Sequence, residues 1–263
     1  MKNKIAIMSG KGGVGKTTLT SNLGTILAMQ GSDVGIIDAN IGVPNLGLHM
    51  GMPLVSQGCT RDILLEVSSL KKSWVVNEDG LKIIVANIIK KPSHHSVTLS
   101  NLSRVLSTDQ TNYVLIDSPP GANQDTINIF NACDELVIVT TPELPAVTAS
   151  VDLIEQARIH NKKIMGLVIN RVTGKPWELE PSEIARRCNV NILGIIPENS
   201  LIPESIAMRL PLVKYAPKSN ASNAMRDIAA LMQNKPLPKS NARSFTILNS
   251  IVAFFKKLFE NHF

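Results

Sequence analysis

Residues 4–17 read KIAIMSGKGGVGKT, and this stretch decides the fold. Lys4 to Ser9 form a short apolar run of strand type. Gly10 to Thr17 then match G-x-x-x-x-G-K-[ST] in full, and residues with helical character follow. Strand, glycine loop and helix in that order make the opening βα unit of a parallel α/β sheet. Outward from it, DVGIID (33–38), KIIVAN (82–87), YVLID (113–117), ELVIVT (135–140), IMGLVIN (164–170) and ILGIIP (192–197) repeat the strand signal. Between them lie stretches with helical spacing, such as Pro145 to His160. These strands are apolar on both faces, as they are when crossover helices cover a sheet on each side. The expectation is one doubly wound, mostly parallel α/β domain over 1–232, closed by a helix SNAMRDIAALM with Ser222 as its N-cap. Residues 233–246, QNKPLPKSNARSFT, hold two prolines and several basic and small polar residues, and read as a linker. Residues 247–263 form a separate C-terminal amphipathic helix.

Composition narrows the function classes. The 263 residues carry 27 Lys and Arg against 21 Asp and Glu, a net charge of +6. Much of the excess is local, because from Gln233 onward Lys235, Lys239, Arg243, Lys256 and Lys257 face the single acid Glu260. Attraction to an anionic surface is therefore centred on the tail. Cys59, Cys133 and Cys188 are odd in number, widely spaced and form no CxxC, as expected of a reducing compartment. No apolar run approaches the ~20 residues of a spanning helix. A cytoplasmic protein is expected.

The glycine loop carries the chemistry. Its backbone N–H groups can turn inward around a phosphate, and the helix that follows adds its positive end. Lys16 would neutralise β and γ oxygens, and Thr17 would offer its hydroxyl to Mg²⁺. A further Mg²⁺ contact is expected from Asp117, at the end of the strand in NYVLIDSPPG. Lys11 has no role in a minimal phosphate loop. His94 and His95 are adjacent, so on a regular element they point apart and make a poor metal site.

KGGVGKTT (11–18) resembles the deviant Walker A motif of the MinD/ParA family of dimerising ATPases, and the resemblance runs the length of the chain. DANIGVPNLGLHMGM (38–52) is similar to that family's switch I. LIDSPPGA (115–122) is similar to its Walker B and switch II segment, VINR and IPENS to its base-binding loops, and the last helix to its membrane-targeting sequence. The resemblance implies a P-loop NTPase fold and an ATP site made by Gly12, Gly13, Val14, Gly15, Lys16, Thr17 and Thr18. It implies that Lys11 reaches the nucleotide of a partner subunit in an ATP-dependent homodimer. It implies that Asn170 reads the adenine edge beside Arg171, with Pro197 and Glu198 closing the other side. Asn and Pro at strand ends are also ordinary turn residues. Asp38, Asp117 and Thr17 would organise Mg²⁺.

One position departs from the pattern. Switch I in this family carries two acids spaced Asp-x-Asp, and here the residues are Asp38-Ala39-Asn40. An amide can hydrogen-bond the attacking water but cannot take its proton at neutral pH. Slow hydrolysis and a long-lived ATP-bound dimer are expected.

In the tail, apolar residues fall at 247, 248, 251, 252, 254, 255, 258 and 259, close to one helical face. Phe254, Phe255, Leu258 and Phe259 could enter a lipid interface, with Lys256 and Lys257 on anionic headgroups. A helix folded back on the domain, or docked on a protein, has the same pattern. The resulting expectation is a switch, cytoplasmic and peripheral on the inner face of the cell membrane, that positions division or other surface machinery with an unidentified regulatory protein. Alternatives are a ParA-type partitioning ATPase on nonspecific DNA, whose binding would fall with salt, and an FlhG-type flagellar-number regulator.

Overall fold

The computed structural model describes residues 3–53, 58–87, 97–121 and 123–235. The linker beyond Lys235, the tail helix and His94-His95 lie outside the described residues.

The strands are β1 (Asn3–Met8), β2 (Val34–Asp38), β3 (Val75–Val76), β4 (Lys82–Ile84), β5 (Tyr113–Asp117), β6 (Glu135–Thr140), β7 (Lys163–Val172) and β8 (Ile192–Pro197). They form one sheet in the order β3-β4-β2-β5-β1-β6-β7-β8, parallel throughout except for β3 on β4. The helices are α1 (Lys16–Met29), α2 (Leu46–His49), α3 (Thr60–Leu64), α4 (Leu70–Ser73), α5 (Leu102–Ser107), α6 (Gln124–Ala132), α7 (Leu144–Ile159), α8 (Pro181–Cys188), α9 (Leu201–Ala207), α10 (Leu212–Tyr215) and α11 (Asn220–Met232).

Successive strand residues feed opposite cores, as the two-residue period requires. Ala6, Met8, Leu136, Ile138, Leu167 and Ile169 pack with Leu102, Phe130, Leu153 and Ile184 of α5 to α8. Ile5, Ile7, Val137, Val139 and Val168 pack on the other face with Leu19, Leu23, Met225 and Ile228 of α1 and α11. All seven strands expected from the sequence are present. The eighth, β3, is an added two-residue antiparallel edge.

The start of α11 corrects one expectation. The N-cap is Ser219, whose side chain accepts a hydrogen bond from Ser222 N at 3.2 Å. Ser222 lies inside the helix, buried, and its Oγ donates to Ala216 O at 2.8 Å.

Because the sheet is parallel around β1, the loops after β1, β2, β5, β6, β7 and β8 all open at one end. That end is the face at which doubly wound sheets bind ligands.

Candidate nucleotide site

The phosphate loop lies between β1 and α1, at the centre of that face. Gly15 adopts φ +97°, and a Cβ there would stand 2.2 Å from Asn170 Nδ2. Only glycine meets both demands. Gly10 is restricted differently: a Cβ would meet Ala149 O of α7 at 1.9 Å, so the loop is fitted against that helix backbone. On the other side Pro120, after β5, lies 3.8 Å from the Cβ position of Gly12, and Gly121 N donates to Ser9 O at 3.1 Å.

Lys16 is 7% exposed, and its Nζ donates to Ser9 Oγ at 2.9 Å. Burial holds its pKa below the ordinary lysine value, while the negative charge of Asp117 opposes that shift. Thr17 Oγ1 donates to Asp117 Oδ2 at 2.7 Å. Ser9 then donates to Lys11 O at 2.7 Å, which ties the loop into one hydrogen-bonded unit. Lys11 itself is exposed, as are Gly12 and Gly13, while Val14 is buried and Thr18 half-buried.

Asp38 and Asp117 are register partners on adjacent strands, and both are buried. Burial raises the Asp117 carboxyl to about 6, against the pull of Thr17 and Lys16. Burial and the charge of Asp117 raise Asp38 well above the carboxylate range, although Asn40 N and Leu46 N donate to it at 3.0 and 3.2 Å. Asp117 Oδ1 is buried and finds no hydrogen-bond partner among the described residues. An orphaned hard oxygen beside the Thr17 hydroxyl suits a small divalent cation. No three His, Cys, Asp or Glu side chains converge on a metal position among the described residues. A cation here would therefore draw most of its ligands from phosphates and water, the usual preference of Mg²⁺.

The acid pair makes stability depend on pH. A carboxyl whose folded pKa is raised stabilises the fold below its unfolded value near 3.8, and that contribution is lost as pH rises through about 6. The nucleotide-free chain is expected to melt at a higher temperature near pH 5 than near pH 7.5, with Mg·ATP restoring stability at the higher pH. Differential scanning fluorimetry across pH tests this; a nucleotide-free melting temperature that rises over the window contradicts it.

The residues expected at the base come from the ends of β7 and β8. Asn170 is buried beneath the phosphate loop, with Nδ2 donating to Val14 O at 2.8 Å and Oδ1 unpaired. Arg171 has φ +62°, and its Nε donates to Glu198 Oε2 at 2.9 Å. Val172 and Pro197 are register partners, so Arg171, Pro197 and Glu198 share one rim. Asn40 is half-buried, and its Oδ1 accepts from Val43 N at 3.2 Å, closing the loop after β2. The motif reading missed Ser9 and Pro120. The serine before Gly10 was visible but carries no motif signal.

A family model described as ParA, NUBPL iron-transfer P-loop NTPase, matches residues 1–233. The septum site-determining protein MinD of Bacillus subtilis is 30% identical over 97% of this chain and 98% of its own. MinD of Pyrococcus horikoshii, solved with Mg-ADP, is 26% identical, with a TM-score of 0.82 over 88% of this chain and 96% of that one. A chain of the MinC:MinD cell division protein complex of Aquifex aeolicus is 28% identical, with a TM-score of 0.80 over 90% of this chain and 98% of that one. The chain belongs to the MinD/ParA family of P-loop NTPases.

Proposed function

We propose that this chain is a Mg²⁺-dependent ATPase that acts as a dimerising switch, with membrane attachment as its output. The observation that carries the reading is the division of labour between two lysines on one glycine loop. Lys16 turns inward between Ser9 and Asp117, whereas Lys11 stands exposed at the nucleotide face. Lys16 meets the chain's own phosphates, and Lys11 is available to those of a second copy.

In the ATP-bound state the backbone of Gly12 to Gly15 and the start of α1 cradle the phosphates, and Lys16 neutralises the β and γ oxygens. Thr17, Asp117 and Asp38 would hold Mg²⁺, which would supply charge neutralisation at the phosphates. The unpaired Oδ1 of Asn170 accepts a hydrogen bond from the adenine edge while Nδ2 keeps its bond to Val14 O. Arg171, held by Glu198, and Pro197 bound the base. The solved P. horikoshii MinD was complexed with Mg-ADP, which supports this ligand pair.

Attachment falls to residues 247–263. Each basic residue near an anionic membrane contributes about 1 kcal/mol, so Lys256 and Lys257 with four apolar side chains bind weakly alone. Two tails joined in a dimer bind far more strongly through effective concentration. A regulatory protein would read the ATP-bound form; that a related protein is held by a second protein in the MinC:MinD complex supports a protein partner. An iron-transfer role, suggested by the family model's description, is disfavoured because the cysteines form no CxxC and are each buried.

The test is sedimentation with anionic liposomes, comparing the full chain with one ending at Arg243, in ATP, ADP and no nucleotide. Pelleting with ATP alone, abolished by the truncation, is expected. Pelleting that ignores nucleotide, or survives truncation, contradicts the switch. Salt-sensitive DNA binding that persists without the tail would favour the partitioning reading.

A further inference from the structure

We propose that Ser9 is a positioning residue for the phosphate chemistry, its hydroxyl aiming Lys16 at the β and γ oxygens. This role presupposes the Mg·ATP site proposed above and falls to a residue that the glycine-loop motif does not contain.

Ser9 follows β1 directly and is 1% exposed. A serine hydroxyl has one proton to give and lone pairs to offer, and here both uses are assigned. The proton goes to Lys11 O at 2.7 Å, because a carbonyl can only accept. The oxygen then accepts from Lys16 Nζ at 2.9 Å, because an ammonium can only donate. Lys11 O thus turns a lone pair of Ser9 toward Lys16. The serine is itself fixed. Its carbonyl accepts from Gly121 N at 3.1 Å, and Ser118 Oγ donates to Ile7 O at 2.7 Å, which straps the end of β1 to the segment after Asp117. Ile7 and Asp117 are register partners, so the hydroxyl and the carboxylate on either side of Lys16 keep one mutual geometry.

Lysine is a point charge on a flexible four-carbon stem, so burial alone does not choose its direction. Its ammonium has three donors. Ser9 takes one, which leaves one for each of the β and γ oxygens in the proposed site. Without the hydroxyl the charge stays, and with it most of the attraction for the nucleotide. What goes is the orientation. The ammonium is then free to follow the ground-state phosphates or Asp117 instead of staying where charge develops during transfer. Binding and turnover should therefore respond differently to the loss of Ser9.

The test compares Ser9→Ala, Ser9→Thr and Ser9→Val with the native full chain. The measurements are calorimetric titration with Mg·ATP, single-turnover phosphate release at saturating nucleotide, and melting curves. Threonine keeps the hydroxyl and valine has the same branched shape without it, so this pair separates the hydrogen bond from packing. Ser9→Ala is expected to slow release about 10-fold while affinity stays within about 3-fold of native, the signature of an interaction made in the transition state. Ser9→Thr is expected to restore the native rate, and Ser9→Val to release as slowly as Ser9→Ala. Native release from Ser9→Ala, or equally slow release from Ser9→Thr and Ser9→Val, overturns the assignment. A loss of affinity as large as the loss of rate makes Ser9 a binding contact and overturns it too. If Ser9→Ala melts below the assay temperature, the threonine and valine variants decide alone. Each of these outcomes leaves the ATPase reading standing, whereas a native chain that releases no phosphate overturns that reading and the role of Ser9 together.

Discussion

Lys16→Met is expected to lower affinity for Mg·ATP by about 10²–10³-fold while the chain stays folded. The magnitude follows from removing one partner of a buried, hydrogen-bonded charge contact, which costs about 2–5 kcal/mol. Lys16 is 7% exposed, so little water is available to replace its charge at the phosphates. Methionine fills nearly the same volume and brings no unpaired charge, which favours retention of the fold. A second effect has a definite sign. Lys16 lowers the Asp117 carboxyl, which already stands at about 6, so its loss raises that carboxyl further and weakens Mg²⁺ binding at neutral pH. Calorimetric titration with Mg·ATP, alongside a melting curve of the nucleotide-free variant, separates binding from folding. Native affinity in Lys16→Met would remove Lys16 from the phosphate site and with it the chemistry assigned to the loop.

Much of this site is legible in the sequence because short range fixes it. Gly10 to Thr17 form one loop and one helix start, and Asp117 follows directly from its strand, so chain order alone nearly places them. The parallel strands are equally legible, since burial on both faces leaves unbroken apolar runs such as ELVIVT. β3 was not legible. It spans two exposed valines on an edge, and nothing in such a short run distinguishes a strand from a loop. The expected cap of α11 at Ser222 falls one turn late, because Ser219 caps the helix and Ser222 lies inside it with its Oγ donating to Ala216 O. The contacts of Ser9 with Lys16, Pro120 with Gly12 and Ala149 with Gly10 depend on how separate segments meet. Asn170 shows the limit most clearly. The expectation that it reads the base rests on resemblance, whereas its bond to Val14 O, under the phosphate loop, is a property of the folded sheet.

Asn40→Asp is expected to raise ATP turnover by about two orders of magnitude, the scale of a positioned general base. The native loop explains why the change can be made without rebuilding it. Asn40 Oδ1 accepts from Val43 N, and Asn40 N donates to Asp38 Oδ1. Aspartate keeps both bonds, since its carboxylate also accepts from Val43 N, and leaves a second oxygen for the attacking water. The position is half-buried, so the new carboxylate remains ionised more readily than the fully buried Asp38 and Asp117. Faster hydrolysis shortens the life of the ATP-bound state, and any property that depends on that state must fall with it. Single-turnover phosphate release should therefore accelerate while the dimer fraction and ATP-dependent liposome pelleting decline together. If phosphate release is unchanged, the native rate is set by charge and positioning at Lys16 and Mg²⁺ rather than by a missing base. If release accelerates while pelleting persists, attachment does not depend on the lifetime of bound ATP, and the tail holds the membrane without the switch.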